Sequence, residues 1–327
     1  MKQLIYNVRV KRGVNCMTAL TIRETTNLTT TDIETLFIRF INYIDVKPKS
    51  AETYTKAIRQ FTAYIQDNNI TRPTREDIIN FRESLKDTHK PNTVQLYLTA
   101  VKLFFKWLEQ EGIYKNIADK VKAPKQDKTH KKSYLTVNQC NKLLDTVNSN
   151  KRDYAILTLM LTTGLRTIEV VRANIEDLGV IGNQAVLFIQ GKGRDDKTDY
   201  VKLDPIIDEA IREYLKTRKT AKDTEPLFIS DSNHKGNEGR LTTRSISRIV
   251  KNNLIESGFN SDRLTAHSLR HTTAHLNLEN GATVEETKEL LRHANVSTTY
   301  IYINEMNREK NNSELRIANA IFRQPGN

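Results

Sequence analysis

Apolar residues recur every three or four positions through much of the chain, the period of a helix with one buried face. Ile33, Leu36, Phe37, Phe40, Ile41 and Ile44 form the first such series, behind a capping pair Thr31-Asp32. Pro48-Lys49-Ser50 breaks it, and a second helix is expected from Ser50, with Tyr54, Ile58, Phe61, Tyr64 and Ile65 on one face. A third starts at Thr74-Arg75-Glu76-Asp77 and carries Ile78, Ile79, Phe81 and Leu85. Pro91-Asn92-Thr93 starts a fourth, with Val94, Tyr97, Leu98, Val101, Phe104, Phe105 and Leu108. Four amphipathic helices with short connections predict a small bundle over 31–117. Because its aromatic residues follow the helical period, they read as core rather than as a platform for stacking bases.

The pattern lapses over 118–133, a stretch holding Lys120, Lys122, Lys125, Lys128, Lys131, Lys132 and Pro124. It reads as a basic linker between two domains, either a solvated tether or one that lies along DNA and joins two halves of a clamp. A larger domain is expected over 134–327. Leu135-Thr136 begins a helix with Leu143, Leu144 and Val147, and Arg152 to Leu161 is a strongly apolar helix. Gly164 interrupts it, and a new helical turn is expected around Arg166. Ala185 to Ile189 and Tyr200 to Leu203 read as strands joined by a polar hairpin tip, Gly191 to Lys197. Helices are expected at 205–219, 242–257, 265–280, 283–292 and 296–303. Leu315, Ala318, Ile321 and Phe322 make a last apolar face that is expected to dock on a neighbouring subunit. The fold class is therefore mainly α with a small antiparallel β-sheet. Residues 1–30 form an N-terminal extension; Ile5 to Val10 alternates like a strand, and Met17 competes with Met1 as the natural start.

Composition narrows the setting. A chain of 327 residues accommodates two domains, and 38% hydrophobic with 28% charged residues is a globular balance. No apolar run approaches the ~18 residues that a membrane span needs, and no signal-peptide core is present, so the cytoplasm is expected. The net charge of +12 favours a polyanionic partner, nucleic acid before membrane. Cys16 and Cys140 stand far apart, outside any disulfide or metal-ligand pattern.

Cations then gather near two tyrosines. Arg166 in Thr163-Gly164-Leu165-Arg166-Thr167-Ile168-Glu169 follows a glycine break, where the start of a helix would suit a phosphate. Glu169, three positions on, shares its helical face, as an ordinary ion pair also would. Gly191-Lys192-Gly193 lacks the P-loop spacing and by itself reads as a flexible turn. His267, Arg270 and His271 share another face. The run His267, His271, His275 has metal-ligand spacing, but the interleaved Arg270 would repel a dication. Downstream, His293-Ala294-Asn295-Val296-Ser297-Thr298-Thr299-Tyr300-Ile301-Tyr302 offers two competing tyrosines. A tyrosine hydroxyl attacks well only where cations stabilise the phenolate and the charge building on its target.

Together these pieces resemble the tyrosine recombinase (phage integrase) family over most of the chain. The family pattern is Thr-Gly-Leu-Arg-x-x-Glu, a hairpin Gly-Lys-Gly, His-x-Leu-Arg-His, and a late His followed nine residues on by Tyr, and this chain has all four in order. The resemblance implies a helical core-binding (SAM-like) domain at 31–117 and a catalytic domain at 134–327. It implies Tyr302 rather than Tyr300 as nucleophile, Arg166 and Arg270 as phosphate clamps, and Lys192 as general acid. It gives His267 and His293 hydrogen-bonding or proton-shuttling roles at the phosphate, and Glu169 an orienting one. Arg292 departs from the pattern, since glycine is common before the second histidine. The implied activity is site-specific cleavage and rejoining of double-stranded DNA through a 3′-phosphotyrosine, by a tetramer on two duplexes, with no cofactor, metal or membrane. An accessory DNA-bending or directionality protein is a further implied partner. The alternatives are a type IB topoisomerase, with the same chemistry, and a DNA-binding regulator that has lost catalysis. Without a separate arm-binding domain, the architecture resembles the Xer branch.

Overall fold

The structure, a computed structural model, describes residues 30–125, 133–191, 196–218, 221–231, 239–293, 295, 299–300, 302 and 311–322. The expectations for Ile5 to Val10, Met17, most of the lysine-rich linker and Lys192 lie outside them. The chain separates into two compact units that divide between residues 129 and 130.

The first unit holds α1 (Thr30–Tyr43), α2 (Pro48–Asp67), α3 (Arg75–Ser84) and α4 (Pro91–Gln110). Pro48 opens α2 instead of merely ending α1: at the first helical position a missing N–H costs nothing and a fixed φ helps. Pro91 does the same for α4. Thr74 and Asp77 form a reciprocal capping box at the start of α3. The expected apolar faces close on one core in which the aromatics meet edge to face, Phe61 with Phe81 at 5.1 Å and Phe40 with Phe104 at 5.4 Å. Each such ring removed from water stabilises the bundle by about 1.5–3 kcal/mol. Ala118 and Val121, which composition assigns to the linker, are buried in this core as well. Arg82 also holds that segment, donating to the Lys122 carbonyl at 2.7 Å.

The second unit contains α5 (Val137–Val147), α6 (Lys151–Thr163), α7 (Thr167–Arg172), a 3-10 turn (Ile175–Asp177), β1 (Leu178–Ile181), β2 (Gln184–Ile189), β3 (Asp199–Lys202), α8 (Pro205–Lys216), α9 (Thr243–Glu256), α10 (Ala266–Glu279), α11 (Val284–Leu291) and α12 (Ser313–Phe322). The strands form an antiparallel sheet in the order β1-β2-β3, with Leu178 opposite Leu187 and Leu187 opposite Val201. The fold is thus mainly helical with a small antiparallel sheet. Apolar α6 is the centre of this unit, packed against α5, α8 and α10. The incoming chain is pinned to α10: the Leu135 N–H donates to Thr272 Oγ1 at 2.9 Å, and Tyr134 stacks flat on His275, ring centroids 3.7 Å apart. No residue of α12 is buried, and its Leu315, Ile317, Ile321 and Phe322 are exposed. Among the described residues, no helix is long and apolar enough to cross a membrane.

Candidate active site

Gly164 ends α6 in the left-handed conformation, φ 61°, which glycine adopts without steric cost. The chain turns there and delivers Arg166 to the N-cap of α7. Sequence spacing suggested that this helix start would receive a phosphate. The protein's own carboxylate takes one of the groups there: the Arg166 N–H donates to Glu169 Oε2 at 2.8 Å. Glu169 Oε1 accepts from Arg166 Nη1, also at 2.8 Å, and Glu169 is fully buried. Any anion recognition by Arg166 therefore belongs to its guanidinium, whose side chain stays 27% exposed.

α10 brings His267, Arg270 and His271 to the same region. Arg270 is almost completely buried and spans two chain ends, donating to the Gly164 carbonyl at 2.6 Å and to the Leu291 carbonyl. Burial first, and the nearby Arg166 charge second, push its guanidinium down to about 9, so it stays protonated at neutral pH. Arg166, His267 and Arg270, with Lys251 and Thr265, line a cavity of about 720 Å³.

His293 follows α11 and is buried; its Nδ1 shares a 2.9 Å hydrogen bond with Thr299 Oγ1. Burial, then the charges of Arg270, Arg166, His267 and Arg292, hold its imidazole down at about 4. It is therefore neutral at pH 7, able to donate from one ring nitrogen and accept at the other. Tyr302 is buried, 3% exposed, while Tyr300 is 46% exposed. The Tyr302 ring meets His271 edge-on at 4.8 Å and lies 6.3 Å from His293. Six of the seven predicted residues, Arg166, Glu169, His267, Arg270, His293 and Tyr302, thus belong to one connected region. Lys192 is outside the described residues. Its neighbour Gly191 is held by Arg172, which donates to the Gly191 carbonyl at 3.3 Å. Among the described residues, no group of three or more His, Cys, Asp or Glu is placed to hold a metal.

Two participants were not visible as such in the sequence. Thr299 stands in the sequence only as part of the His293–Tyr302 stretch, yet its hydroxyl holds the His293 ring. Arg292 is, in the sequence, only a departure from the family pattern, yet it donates to Glu169 Oε2 at 3.2 Å and to the Leu290 carbonyl at 2.7 Å.

The Phage integrase family model matches residues 133–309, more than half of the chain. The chain belongs to the phage integrase family. Its N-terminal part matches the N-terminal SAM-like domain of phage integrases over residues 27–114. It is 33% identical over 267 residues to tyrosine recombinase XerA of Pyrococcus horikoshii, across 80% of this chain and 86% of that one. In structure it is similar to XerH site-specific recombinase bound to palindromic difH substrate in a post-cleavage complex, with TM-score 0.68 and 19% identity, over 90% of this chain and 85% of that one. It is also similar to a lambda integrase tetramer bound to a Holliday junction, with TM-score 0.65 and 16% identity, over 85% and 78% of the two chains. A phage integrase of this tyrosine recombinase kind is a DNA-strand-cleaving and rejoining enzyme, and this chain is a site-specific recombinase.

Proposed function

We propose that Tyr302 is the nucleophile of this recombinase and that Arg166, Arg270, His267 and His293 are the groups that hold the scissile phosphate. The observation that carries the reading is the convergence just described: cations from α7 and α10 lining one cavity, beside a buried tyrosine ringed by histidines. The phenol oxygen attacks phosphorus in line, giving up its proton on the histidine side of the site. The bond to the 5′ oxygen breaks, that oxygen takes a proton from Lys192, and a 3′-phosphotyrosine ester remains. The arginines and neutral His293 donate to the non-bridging oxygens as charge accumulates there. Loss of one such donor typically costs about 2.7–4 kcal/mol of transition-state stabilisation. Glu169 orients Arg166 and does no chemistry. The ester preserves the energy of the phosphodiester, so a 5′ hydroxyl from a partner strand can reverse the step and complete the exchange.

On this reading the enzyme works in the cytoplasm as a tetramer on two duplexes, with an accessory DNA-bending protein as a further partner. The exposed apolar residues of α12 support an oligomer, because a neighbouring subunit would cover them. The lambda integrase tetramer on a Holliday junction supports the same arrangement by analogy of fold.

Covalent capture on a pool of nicked duplexes of randomised sequence tests the chemistry and recovers a reactive duplex. The wild type and Tyr300→Phe should yield a protein–DNA adduct stable to detergent, and Tyr302→Phe should bind DNA and yield none. An adduct from Tyr302→Phe, or its absence from Tyr300→Phe alone, would assign the nucleophile elsewhere.

A further inference from the structure

Arg292 occupies a place that suits glycine. It ends α11 with φ 53° and ψ 48°, a left-handed conformation in which a Cβ is crowded. The other non-glycine residues with positive φ among those described, Asn69 and Lys120, are exposed. Arg292 is not: its side chain is 13% exposed, and burial lowers the pKa of its guanidinium. Its Nε is buried without a hydrogen-bond partner. A strained backbone, a buried charge and an unsatisfied N–H all count against folding. A group retained against those costs merits a functional account.

The account lies in how Glu169 is shared. Oε1 accepts from Arg166 Nη1, and Oε2 accepts from both the Arg166 N–H and Arg292 Nη2. A free carboxylate facing a guanidinium prefers to take it through both oxygens at once. Here Oε2 is committed to the Arg166 N–H and to Arg292, the latter itself fixed on the Leu290 carbonyl. Arg166 is consequently gripped through one nitrogen, and the rest of its guanidinium is left facing the cavity. We propose that Arg292 is a positioning residue: acting through Glu169, it keeps the Arg166 guanidinium forward for the scissile phosphate. This inference rests on the phosphate-clamping role proposed for Arg166.

The test compares Arg292→Gly, which fits the backbone but removes the bridge, with Arg292→Lys, which keeps the charge but reaches only one acceptor. Each is assayed on the recovered nicked duplex for DNA affinity and for the single-turnover rate of adduct formation. Arg292→Gly should bind within about threefold of wild type and form adduct roughly 10- to 100-fold more slowly, the range for losing a charged hydrogen bond. Arg292→Lys should fall between the two. In an Arg166→Ala background, where there is no guanidinium left to place, Arg292→Gly should change the rate by less than about threefold. Circular dichroism checks that each variant is folded; if the glycine variant is not, the lysine variant carries the test. A folded Arg292→Gly, or a folded Arg292→Lys when only that variant folds, reacting at the wild-type rate would overturn the inference. So would an Arg292→Gly effect undiminished by Arg166→Ala. A wild type that forms no adduct would instead overturn the underlying phosphate-clamp reading, and this inference with it.

Discussion

Gly164→Ala probes the junction on which the site is assembled. Gly164 has φ 61°, and an added Cβ would lie 2.6 Å from Leu291 Cδ2 and 3.4 Å from Thr273 Cγ2. The left-handed backbone costs an alanine roughly 1–2 kcal/mol. Leu291 is completely buried, so its methyl has little room to withdraw, and overpacking of this kind adds about 1–3 kcal/mol. The expected loss is therefore about 2–5 kcal/mol, a serious fraction of the ~5–15 kcal/mol of a typical domain. Function should suffer separately from stability. Arg270 is held by the carbonyls of Gly164 and Leu291, the two residues the new methyl would force apart. Gly182→Ala is the control: its φ is 60° and its Cβ would meet nothing within 4 Å, so it bears the backbone cost alone. Urea unfolding of both variants, with adduct formation measured where each is fully folded, separates the effects. Gly164→Ala should be less stable than Gly182→Ala by about 1–3 kcal/mol and should cleave at least about tenfold more slowly than wild type. Equal stabilities together with wild-type cleavage would refute the account of how Arg270 is positioned.

Two further outcomes are expected. His293 has a folded pKa of about 4, below its unfolded value of about 6.5. The unfolded chain therefore binds the proton more readily, and stability falls as pH drops from about 6.5 to about 4, by up to about 3 kcal/mol for this group. The stability difference between wild type and His293→Gln should shrink over that window in denaturant titrations, and parallel pH profiles would contradict it. Lys251 lines the same cavity as the arginines, so Lys251→Gln should weaken DNA binding and reduce the slope of log affinity against log salt by about 1. An unchanged slope would mean that Lys251 touches no phosphate.

The helices were legible because periodic apolar faces coincide with local caps, as at Thr74, Thr136 and Thr283. Pro48 misled for a local reason: the same residue that stops one helix is well suited to begin the next. β1 escaped because Leu178-Gly179-Val180-Ile181 is short and glycine-interrupted, and its pairing with β2 depends on the turn at Gly182. At the site, motif spacing identified the side chains that carry charge. It could not identify their supports, because the carbonyls that seat Arg270 come from residues 106 and 21 positions away. Nor could it show that Glu169 turns back to cap its own helix, which takes the Arg166 N–H. Arg292 was visible only as an exception; its contact with Glu169 spans 123 positions.

The charges around Glu169 suggest why such an expensive arrangement persists. Arg166, Arg270 and Arg292 contribute three positive charges and Glu169 one negative, a local formal sum of 3 − 1 = +2 with His293 neutral. Before substrate arrives, that surplus is unfavourable: Arg166 and Arg292 both depress the pKa of Arg270 by like-charge repulsion. On the proposed reading of the site, a phosphodiester would bring one negative charge and the attacking phenolate a second. The repulsion held among these arginines would be relieved as that charge develops, so the interaction would be stronger in the transition state than in the ground state, the condition for accelerating the chemical step. Neutralising Arg166 would ease the repulsion on buried Arg270 while leaving that developing charge incompletely balanced. Stability and catalysis should therefore respond in opposite directions at Arg166, whose partly exposed guanidinium can be removed without leaving Glu169 unpaired.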